Sequence, residues 1–336
     1  MREALEEARQ GAGLTSPNPA VGAVLVARGR ILARGYHRRA GADHAEVDCL
    51  RKILDPISSG AILYVTLEPC STRGRTAPCV DYIIQRGVRH VVIGAVDPNP
   101  KHRGRAIEVL RREGIEVSTG VLESECTQLN EAFNKWIITR EPFVIAKCGM
   151  SLDGRLTAPP TESQWITSAQ SRRDAQRLRG IVDAIVVGAE TIRQDNPRLT
   201  MRIRSARKQP WRVVLTRSGR LPHNSNIFRD SFSSRTIIYR NQNLRKVLRD
   251  LGRREITSVL IEGGGEVLSE ALDQGLIDKV QIYIGSKLTG GNVLAFGGKG
   301  VRSATDAFRL KCARYEPFGD DVRVTGYLSS AESIAK

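Results

Sequence analysis

One imidazole, two thiols and one carboxylate stand at spacings that suit a catalytic zinc site: His44, Glu46, Cys70 and Cys79. Zinc accepts imidazole nitrogen and thiolate sulfur in a tetrahedral arrangement, and a catalytic zinc keeps its fourth position open for water. His44, Cys70 and Cys79 would fill three positions. Glu46, two residues beyond the histidine, would carry a proton to a leaving amine instead of binding metal. This set predicts hydrolytic removal of an amino group from an amidine-like carbon.

The spacing of the two cysteines departs from the usual zinc-deaminase pattern, in which H-x-E is followed by P-C-x-x-C. Here residues 71–78 separate Cys70 from Cys79, and they form a basic, glycine-containing segment suited to an anionic substrate. An H-x-E or a cysteine pair alone often arises by chance. The combination favours zinc because residues 45–53 have helical apolar spacing and the apolar run 61–67 leads into Glu-Pro-Cys. Both ligand groups would then lie at helix N-termini, which favour the thiolate.

Length and composition indicate an ordinary globular protein of two domains. The 336 residues exceed one average domain, and 40% of them are hydrophobic and 26% charged. No apolar run is long enough to span a bilayer, and the sequence predicts a charged amphipathic helix over residues 1–9 instead of a signal peptide. We therefore expect a cytoplasmic location and no disulfide framework. The cysteines outside the zinc pattern are expected to be buried thiols: Cys49, Cys126, Cys148 and Cys312.

A net charge of +16 and a pI near 10.0 raise nucleic acid as a possible partner. The densest basic stretch, residues 202–220, lacks the interleaved aromatic residues of a base-stacking surface, and aromatic residues total only 5%. The charge pattern therefore favours a solvated surface that attracts phosphorylated small molecules. We expect small-molecule substrates, no nucleic-acid or membrane partner, and a homo-oligomer.

Strand and helix signals alternate along both halves, which is typical of layered α/β domains. A break at Pro142 predicts domains at residues 1–141 and 142–336. In the first half we predict strands at 21–26, 31–33, 62–67 and 91–96, and helices from 45, after 79 and over 123–138. In the second half we predict strands at 143–147, 184–187, 211–215, 236–239, 258–261 and 279–284, and helices at 169–178, 244–251 and 266–272. Residues 202–209 and 217–234 are expected to be loop-rich.

Two segments of the second half run from a β-branched strand into glycine and then a helix, at residues 184–191 and 259–266. Glycines there let backbone amides approach a phosphate, and the helix N-terminus adds favourable charge, so a dinucleotide would fit. Neither segment is a complete G-x-G-x-x-G, and glycine after a strand is routine in α/β folds. Residues 150–155 and 195–200 are polar turns, which composition alone explains as turn and capping chemistry.

Short motifs follow one another in a recognisable order along both halves. The first half contains S-P-N-P-A-V-G at 16–22, G-Y-H at 35–37, H-A-E at 44–46, T-L-E-P-C at 66–70, G-R-T at 74–76 and D-P-N-P at 97–100. The second half contains S-L-D-G at 151–154, Q-W-I-T at 164–167, D-N-P at 195–197, L-T at 199–200 and E-G-G at 262–264. In both content and order the chain resembles the bifunctional deaminase-reductases of riboflavin biosynthesis.

The resemblance implies two folds and two reactions. The first half would have a cytidine-deaminase-like three-layer α/β/α fold, and the second a dihydrofolate-reductase-like α/β fold. The first would remove the 2-amino group of 2,5-diamino-6-(5-phosphoribosylamino)pyrimidin-4(3H)-one, with one Zn²⁺ per chain and Glu46 as the proton carrier. The second would use NADPH to open the ribose into a ribityl chain. Sequence alone does not fix NADPH over NADH.

The resemblance also assigns residues to the substrates. In the deaminase half, Asn18, His37, Asp97 and Asn99 would lie around the pyrimidine and ribose, and Arg75 would help to hold the substrate from the loop. In the reductase half, Arg179 and Arg202 suit the substrate phosphate, because a guanidinium binds phosphate oxygens in a fork. Gly188, Gly263 and Gly264 would hold cofactor phosphates and Glu262 would contact the ribose. Asp195 would orient the opened sugar, and no residue stands out as the proton donor. The other expected contacts in this half are Lys147, Asp153, Gly154, Ser163, Trp165, Thr167, Ser168, Thr191, Asn196, Leu199 and Thr200.

Three positions depart from the family pattern. Thr72 replaces a usual histidine, Ala106 replaces a usual glycine, and residues 159–162 replace a glycine-containing turn. None of these changes removes a predicted zinc ligand or Glu46. Two other functions stay open at this point. The chain could be a tRNA or polynucleotide deaminase with a basic second module, or a deaminase whose second half does not catalyse a reaction.

Overall fold

Two separate β-sheets organise the chain in a computed structural model, which describes residues 1–72, 77–156, 165–202 and 208–328. The chain divides into two compact units. Unit 1 runs from Met1 to Arg140, and unit 2 begins at Glu141. Among the described helices, none combines the length and the apolar character needed to cross a membrane.

Unit 1 has a five-stranded sheet with the order β2-β1-β3-β4-β5. β1 is antiparallel to β2 and β3, whereas β3, β4 and β5 are parallel. The apolar run of β3 occupies the centre, where Leu63 and Val65 are fully buried. The strands are β1 (Gly22–Ala27), β2 (Arg30–Tyr36), β3 (Ile62–Leu67), β4 (His90–Ala95) and β5 (Glu116–Thr119). The helices are α1 (Arg2–Gly11), α2 (Ala45–Leu50), α3 (Cys79–Gln85), α4 (Arg105–Arg112), α5 (Glu123–Leu129) and α6 (Glu131–Thr139).

Apolar side chains pack against the unit 1 sheet in two clusters. Helices α2, α3 and α4 contribute Cys49, Ile83 and Leu110 to the larger cluster. Helices α1 and α5 contribute Leu5 and Cys126 to a second cluster. Because separate sets of helices bury separate clusters, the unit has the three-layer α/β/α architecture that the sequence predicted.

The single helix predicted over residues 123–138 is wrong. Asn130 interrupts it, with φ −110° and ψ 21°, and the chain forms α5 and α6 instead. The buried Asn130 amide accepts a hydrogen bond from the Ala20 N–H (2.8 Å) and donates one to the Ala20 carbonyl oxygen (2.9 Å). Both Ala20 backbone groups are satisfied by this tertiary contact, which offsets the loss of helix continuity.

Unit 2 has an eight-stranded sheet within the described residues, with the order β12-β13-β11-β6-β10-β7-β8-β9. β6 to β11 run parallel to one another, and the hairpin of β12 and β13 adds antiparallel strands next to β11 at one edge. The strands are β6 (Phe143–Ser151), β7 (Ala184–Gly188), β8 (Trp211–Thr216), β9 (Thr236–Arg240), β10 (Ser258–Glu262), β11 (Lys279–Gly285), β12 (Lys311–Phe318) and β13 (Asp321–Tyr327). The helices are α7 (Ala169–Ile181), α8 (Ala189–Asp195), α9 (Asn226–Arg229), α10 (Leu244–Arg253) and α11 (Gly265–Asp273).

The order of strands brings the ends of β6, β7 and β10 together. The chain leaves β6, builds β7, β8 and β9 on one side, and returns so that β10 lies between β6 and β7. Ligands of parallel α/β sheets bind at the carboxyl ends of strands near such a reversal. The two predicted glycine segments follow β7 and β10, so the fold places both at this edge.

Cys312 contradicts its predicted burial. The residue is exposed near the start of β12, where its φ is 49°. None of the residues of β12 is fully buried, because β12 is an edge strand of the sheet, and Cys312 occupies one of its exposed positions. The other three cysteines outside the zinc pattern are buried as predicted.

Candidate active sites

The loops and helix starts of unit 1 bring His44, Cys70 and Cys79 together. His44 is the residue before the first turn of α2, Cys70 follows β3, and Cys79 is the first residue of α3. His44 Nδ1 lies 3.2 Å from Cys79 Sγ and 3.5 Å from Cys70 Sγ. All three potential ligand atoms lie within 4.8 Å of one another.

This geometry and chemistry fit a zinc ion. A tetrahedral zinc with bonds of about 2.0–2.3 Å places its ligand atoms roughly 3.4–3.8 Å apart. The Cys79 N–H at the start of α3 donates to Cys70 Sγ at 3.2 Å. Hydrogen bonding from Cys79, together with His44, lowers the pKa of the Cys70 thiol to about 4. The pKa of the Cys79 thiol is raised well above its usual value, mainly by its hydrogen bond with the Cys70 sulfur and secondly by burial. A divalent cation would let both sulfurs ionise side by side.

Glu46 lies beside this cluster in the first turn of α2, with 3% of its surface exposed. Burial raises the pKa of its carboxyl group, and the nearby His44 only partly offsets that effect. A raised pKa makes the carboxylate a stronger proton acceptor, which suits an acid-base residue.

Asn18 and His37 form a second layer next to the cluster. The His37 ring meets the His44 ring edge to face, with centroids 5.1 Å apart. His37 Nδ1 lies 2.9 Å from the Asp43 carbonyl oxygen, which can only accept a hydrogen bond, so Nδ1 carries the proton. Nε2 then accepts from the Asn18 amide nitrogen at 3.1 Å. Burial lowers the pKa of His37, which keeps the ring neutral.

This arrangement bears on the role expected for His37. The ring is 2% exposed, and both nitrogens are bonded to the protein. Both ring nitrogens are therefore engaged within the protein, and the substrate contact expected from the sequence stays a prediction. His37 fixes the amide of the half-buried Asn18, whose Oδ1 remains the acceptor group of that side chain.

Asp97 and Asn99 lie in the loop that follows β4. The Asn99 N–H donates to Asp97 Oδ1 at 2.8 Å, which closes a tight turn. Burial raises the pKa of the Asp97 carboxyl group to about 6. The sequence interpretation missed two neighbours of this pair. His102 lies 3.3 Å from the Thr72 hydroxyl, and Glu68 accepts hydrogen bonds from the loop backbone.

Two predicted contact residues lie outside the described residues, namely Arg75 in the sequence between the two cysteines and Ser163 in the sequence before Trp165.

In unit 2, a glycine-lined cradle forms where β7 and β10 end. Gly188 is the residue before α8, and Gly263 and Gly264 precede α11 with φ values of 78° and 69°. A Cβ atom at Gly264 would lie 3.4 Å from Thr191 Oγ1, and one at Gly188 would lie 3.2 Å from Val267. The N-termini of α8 and α11 and the backbone amides of these glycines therefore face one region. Such a region fits the phosphates of a dinucleotide.

Three cations surround the Glu262 carboxylate beside this cradle. Burial alone would raise the pKa of Glu262, but Arg179, Lys147 and Arg202 outweigh it and lower that pKa. The Arg179 guanidinium bonds Glu262 through Nε (3.0 Å) and Nη2 (2.5 Å), and its Nη1 donates to the Thr200 carbonyl oxygen (3.1 Å). The donors of Arg179 thus face the protein itself. In this structure Arg179 anchors Glu262, and its expected role as a phosphate ligand stays a prediction.

Several other predicted contacts of the reductase half serve the fold in the described structure. Ser168 caps α7 by accepting from the Ser171 N–H at 3.2 Å. Asp153 accepts from the Ser151 hydroxyl and from the backbone of Thr289 and Gly290, and the Ser151 bond contributes most to lowering its pKa to about 2. The Gly154 carbonyl oxygen accepts from the Ala295 N–H at 3.0 Å. The bonds of Asp153 and Gly154 connect the end of β6 to the segment after β11.

The remaining predicted contacts lie at two surfaces. The Trp165 ring is 54% exposed and lies under the Arg172 guanidinium at 4.6 Å, while Arg172 also donates to the Thr167 carbonyl oxygen at 2.5 Å. Asp195 ends α8 and is exposed. Asn196 follows with φ 39°, and its Oδ1 accepts from the Asn226 N–H at 2.8 Å. Leu199 is buried.

The two units together define a zinc-dependent deaminase joined to a dinucleotide-dependent reductase. Comparison with protein families supports this class directly. Residues 1–95 match the cytidine and deoxycytidylate deaminase zinc-binding region, and residues 142–324 match the RibD C-terminal domain. The chain belongs to the RibD family of riboflavin biosynthesis proteins, and it is a bifunctional deaminase and reductase with Zn²⁺ and NADPH as cofactors.

Individual relatives cover almost the entire chain. The riboflavin biosynthesis protein RibD of Actinobacillus pleuropneumoniae is 38% identical over 96% of this chain and 93% of its own. The RibD of Escherichia coli K12 is 37% identical over 96% of both chains. A Thermotoga maritima structure, described as a diaminohydroxyphosphoribosylaminopyrimidine deaminase/5-amino-6-(5-phosphoribosylamino)uracil reductase, has a TM-score of 0.88 and 35% identity over 98% of this chain and 97% of that one.

Proposed function

We propose that unit 1 deaminates 2,5-diamino-6-(5-phosphoribosylamino)pyrimidin-4(3H)-one to 5-amino-6-(5-phosphoribosylamino)uracil, and that unit 2 then reduces the ribosyl group of this product to a ribityl chain. The cluster of His44, Cys70 and Cys79 beside the buried Glu46 carries the proposal. The activities in the description of the Thermotoga maritima structure support the choice of substrates. We assign deamination to residues 1–141 and reduction to residues 142–336, a division that the two compact units support.

In the deaminase site, bound zinc would supply an acidified water molecule as the nucleophile. Glu46 would take the first proton of this water and deliver it to the ring nitrogen, and would then take the second proton from the new hydroxyl group on the ring carbon and deliver it to the amino group, which leaves as ammonia. The raised pKa of its buried carboxyl group suits both transfers. Asn18, held by His37, presents an acceptor oxygen to the amino groups of the pyrimidine.

Asp97 and Asn99 would bind the ribosyl side of the substrate from the loop after β4. Both are polar, and Asn99 is half-buried while Asp97 is 8% exposed. A hydrogen bond to a sugar hydroxyl would satisfy the Asp97 carboxylate, which burial otherwise disfavours. We also propose Arg75 as a substrate contact because it belongs to the basic segment between the two cysteine ligands.

In the reductase site, bound NADPH would supply a hydride to the sugar carbon. Gly188, Gly263 and Gly264 hold the cofactor phosphates at two helix N-termini. Because the donors of Arg179 are engaged by Glu262 and Thr200, Arg202 is the better candidate for the substrate phosphate. Arg202 is exposed and lies close enough to influence Glu262.

We assign the remaining predicted contacts to the rim of the reductase site. Lys147 is paired in register with Glu262, so it lies at the end of β6 that faces the cradle. Thr191 contacts the position that a side chain at Gly264 would fill. Asp195 would orient the opened sugar. The others are Asp153, Gly154, Ser163, Trp165, Thr167, Ser168, Asn196, Leu199 and Thr200.

Mass spectrometry of the products tests both steps at once. The zinc-loaded protein is incubated with the diamino substrate, first without and then with NADPH. We expect the aminouracil alone without NADPH, and the ribitylamino product when NADPH is present. An unchanged diamino substrate in both samples would refute the assignment of unit 1. Accumulation of the aminouracil despite NADPH would refute that of unit 2.

We further infer a homo-oligomer and a cytoplasmic location. Tyr315 and Val322 on the β12–β13 hairpin expose 70% and 40% of their surface, which suits a contact with a second copy. All six cysteines are free, as expected of thiols in a reducing compartment. A native mass spectrum that contains only the single-chain species at micromolar concentration would contradict the oligomer.

A further inference from the structure

We propose that Glu68 is a positioning residue of the deaminase site. Its carboxylate fixes the loop of residues 97–106, so that Asp97 and Asn99 are held in the arrangement that binds the ribosyl part of the aminopyrimidine. The inference deepens the proposed function of unit 1 and rests on it. Glu68 itself contacts neither the substrate nor the metal.

The position of Glu68 explains how one side chain reaches the whole loop. Glu68 follows β3, and its own N–H donates to the Ala95 carbonyl oxygen at the end of the neighbouring strand β4 at 2.9 Å. The side chain therefore begins at the edge of the sheet from which the loop departs. It is 4% exposed, so its carboxylate is removed from bulk water. A buried carboxylate must find donors within the protein.

Three backbone amides of the loop supply those donors. Glu68 Oε2 accepts from the Asp97 N–H at 3.2 Å and from the Gly104 N–H at 3.0 Å. Oε1 accepts from the Ala106 N–H at 3.1 Å. Asp97 begins the loop, whereas Gly104 and Ala106 lie at the start of α4. One carboxylate thus joins both ends of the loop.

This clamp determines where the substrate-binding groups lie. Asn99 and His102 lie between the two clamped ends, and the Asn99 N–H is bonded to Asp97 Oδ1 at 2.8 Å. The Glu68 carboxylate also lies at the N-terminus of α4, where a negative charge is favourable. If Glu68 held only the start of α4, its bonds to the Gly104 and Ala106 N–H groups would be sufficient. The additional bond to the Asp97 N–H connects the clamp to the binding residues.

Glu68→Gln is the sharpest perturbation because it preserves size and shape. The amide keeps one acceptor oxygen but turns an NH₂ group toward at least one of the three N–H donors, so the clamp cannot remain complete. Loss of binding that is equal in the ground state and the transition state raises KM and spares kcat. We expect KM for the diamino substrate to rise about tenfold or more, with kcat changed by less than about threefold.

Three measurements separate positioning from a general structural effect. The variant should retain one zinc per chain, and NADPH-dependent reduction of the aminouracil by unit 2 should match the wild type. Glu108→Gln is the matched control, because it removes the same charge from the first turn of α4 at an exposed position. Its KM should stay at the wild-type value. A general structural effect would lower zinc content and kcat in addition to raising KM.

A double substitution tests whether Glu68 acts through the loop. Asn99→Ala removes one of the two groups that the clamp positions, so adding Glu68→Gln to it should raise KM by a smaller factor than Glu68→Gln does in the wild-type background. Independent effects would multiply instead. The proposal would be overturned if the rise in KM of the double variant equalled the product of the two single rises. It would also be overturned if Glu68→Gln had the same KM as Glu108→Gln.

Hydrogen exchange of the wild-type protein gives a test that does not depend on a variant. The Asp97, Gly104 and Ala106 amides should exchange slowly because Glu68 engages them. Exchange as rapid as that of exposed loop amides would show that the clamp does not exist in solution. A wild-type protein that does not release ammonia would refute the proposed function, whereas normal release with rapid exchange refutes only the clamp.

Discussion

Replacing Arg179 with alanine should destabilise unit 2 strongly, because it leaves the Glu262 carboxylate buried without its main partner. The two side chains are 13% and 7% exposed, and the guanidinium bonds the carboxylate through two nitrogens. Removal of one member of such a buried pair costs about 3–5 kcal/mol. The matched control is Arg177→Ala on the same helix. Arg177 is 76% exposed and lies 3.8 Å from Asp174, so its loss should cost less than about 1 kcal/mol.

Native-state hydrogen exchange measures this effect within a protein of two units. Peptides that cover β10 (Ser258–Glu262) report the opening of unit 2, since every residue of that strand is buried. Peptides that cover β3 (Ile62–Leu67) report unit 1 and should exchange as in the wild type. The Arg179→Ala variant should lower the free energy of opening for β10 by about 3–5 kcal/mol. A loss as small as that in Arg177→Ala would refute the reasoning.

The pH dependence of this difference has a definite sign. In the wild type, Arg179 helps to lower the pKa of Glu262, so the pair stabilises the fold above the usual carboxyl pKa and loses that effect as the pH falls. Without Arg179, burial favours the protonated acid, which forms as the pH falls. The difference in the free energy of opening between wild type and variant should therefore be widest near pH 7 and should narrow as the pH falls through about 4.5. A gap that widens in acid would contradict this explanation.

Three further predictions concern the two sites. Glu46→Gln should lower ammonia release about 10²–10⁴-fold while zinc content and NADPH oxidation with the aminouracil are retained, and release at the wild-type rate would exclude Glu46 as the proton carrier. The KM of the deaminase should rise as the pH falls through about 6, where the buried Asp97 carboxyl group protonates. Asp97→Asn should abolish that pH dependence, and its persistence would assign the titration to another group. Gly264→Val should raise the KM for NADPH about tenfold or more, because φ is 69° and the new side chain would meet Thr191. Deamination should be unaffected in that variant, and an unchanged KM for NADPH would argue against the glycine cradle.

The zinc centre was predictable from the sequence because its chemistry depends on residue type and short spacing. Few side chains bind zinc, and His44, Cys70 and Cys79 occur next to predicted helix starts that the structure confirms for α2 and α3. The parallel strands were predictable for a related reason, since a strand buried on both faces needs a continuous apolar run. The predicted fold class and cofactors are confirmed on this basis.

The features that could not be predicted depend on contacts between distant residues. The donors to Glu68 are backbone amides up to 38 positions away, and backbone amides have no signature in the sequence. Arg179 is one of 52 basic residues, and its partner Glu262 lies 83 positions further along the chain. Nothing local distinguishes a guanidinium that binds a carboxylate from one that binds a phosphate. The burial of His37 could not be predicted because it depends on the packing of Asn18 and the residues around Asp43.

The contact between Asn130 and Ala20 has a consequence for how the protein is made. Ala20 lies two residues after Asn18, and its backbone pairs with a side chain that is 110 positions away. During synthesis the ribosome must release Asn130 before this part of the proposed substrate pocket can form. A gene split at the end of β5 would therefore encode a fragment with all three zinc ligands but an unfinished pocket. A separate deaminase would have to extend into α6.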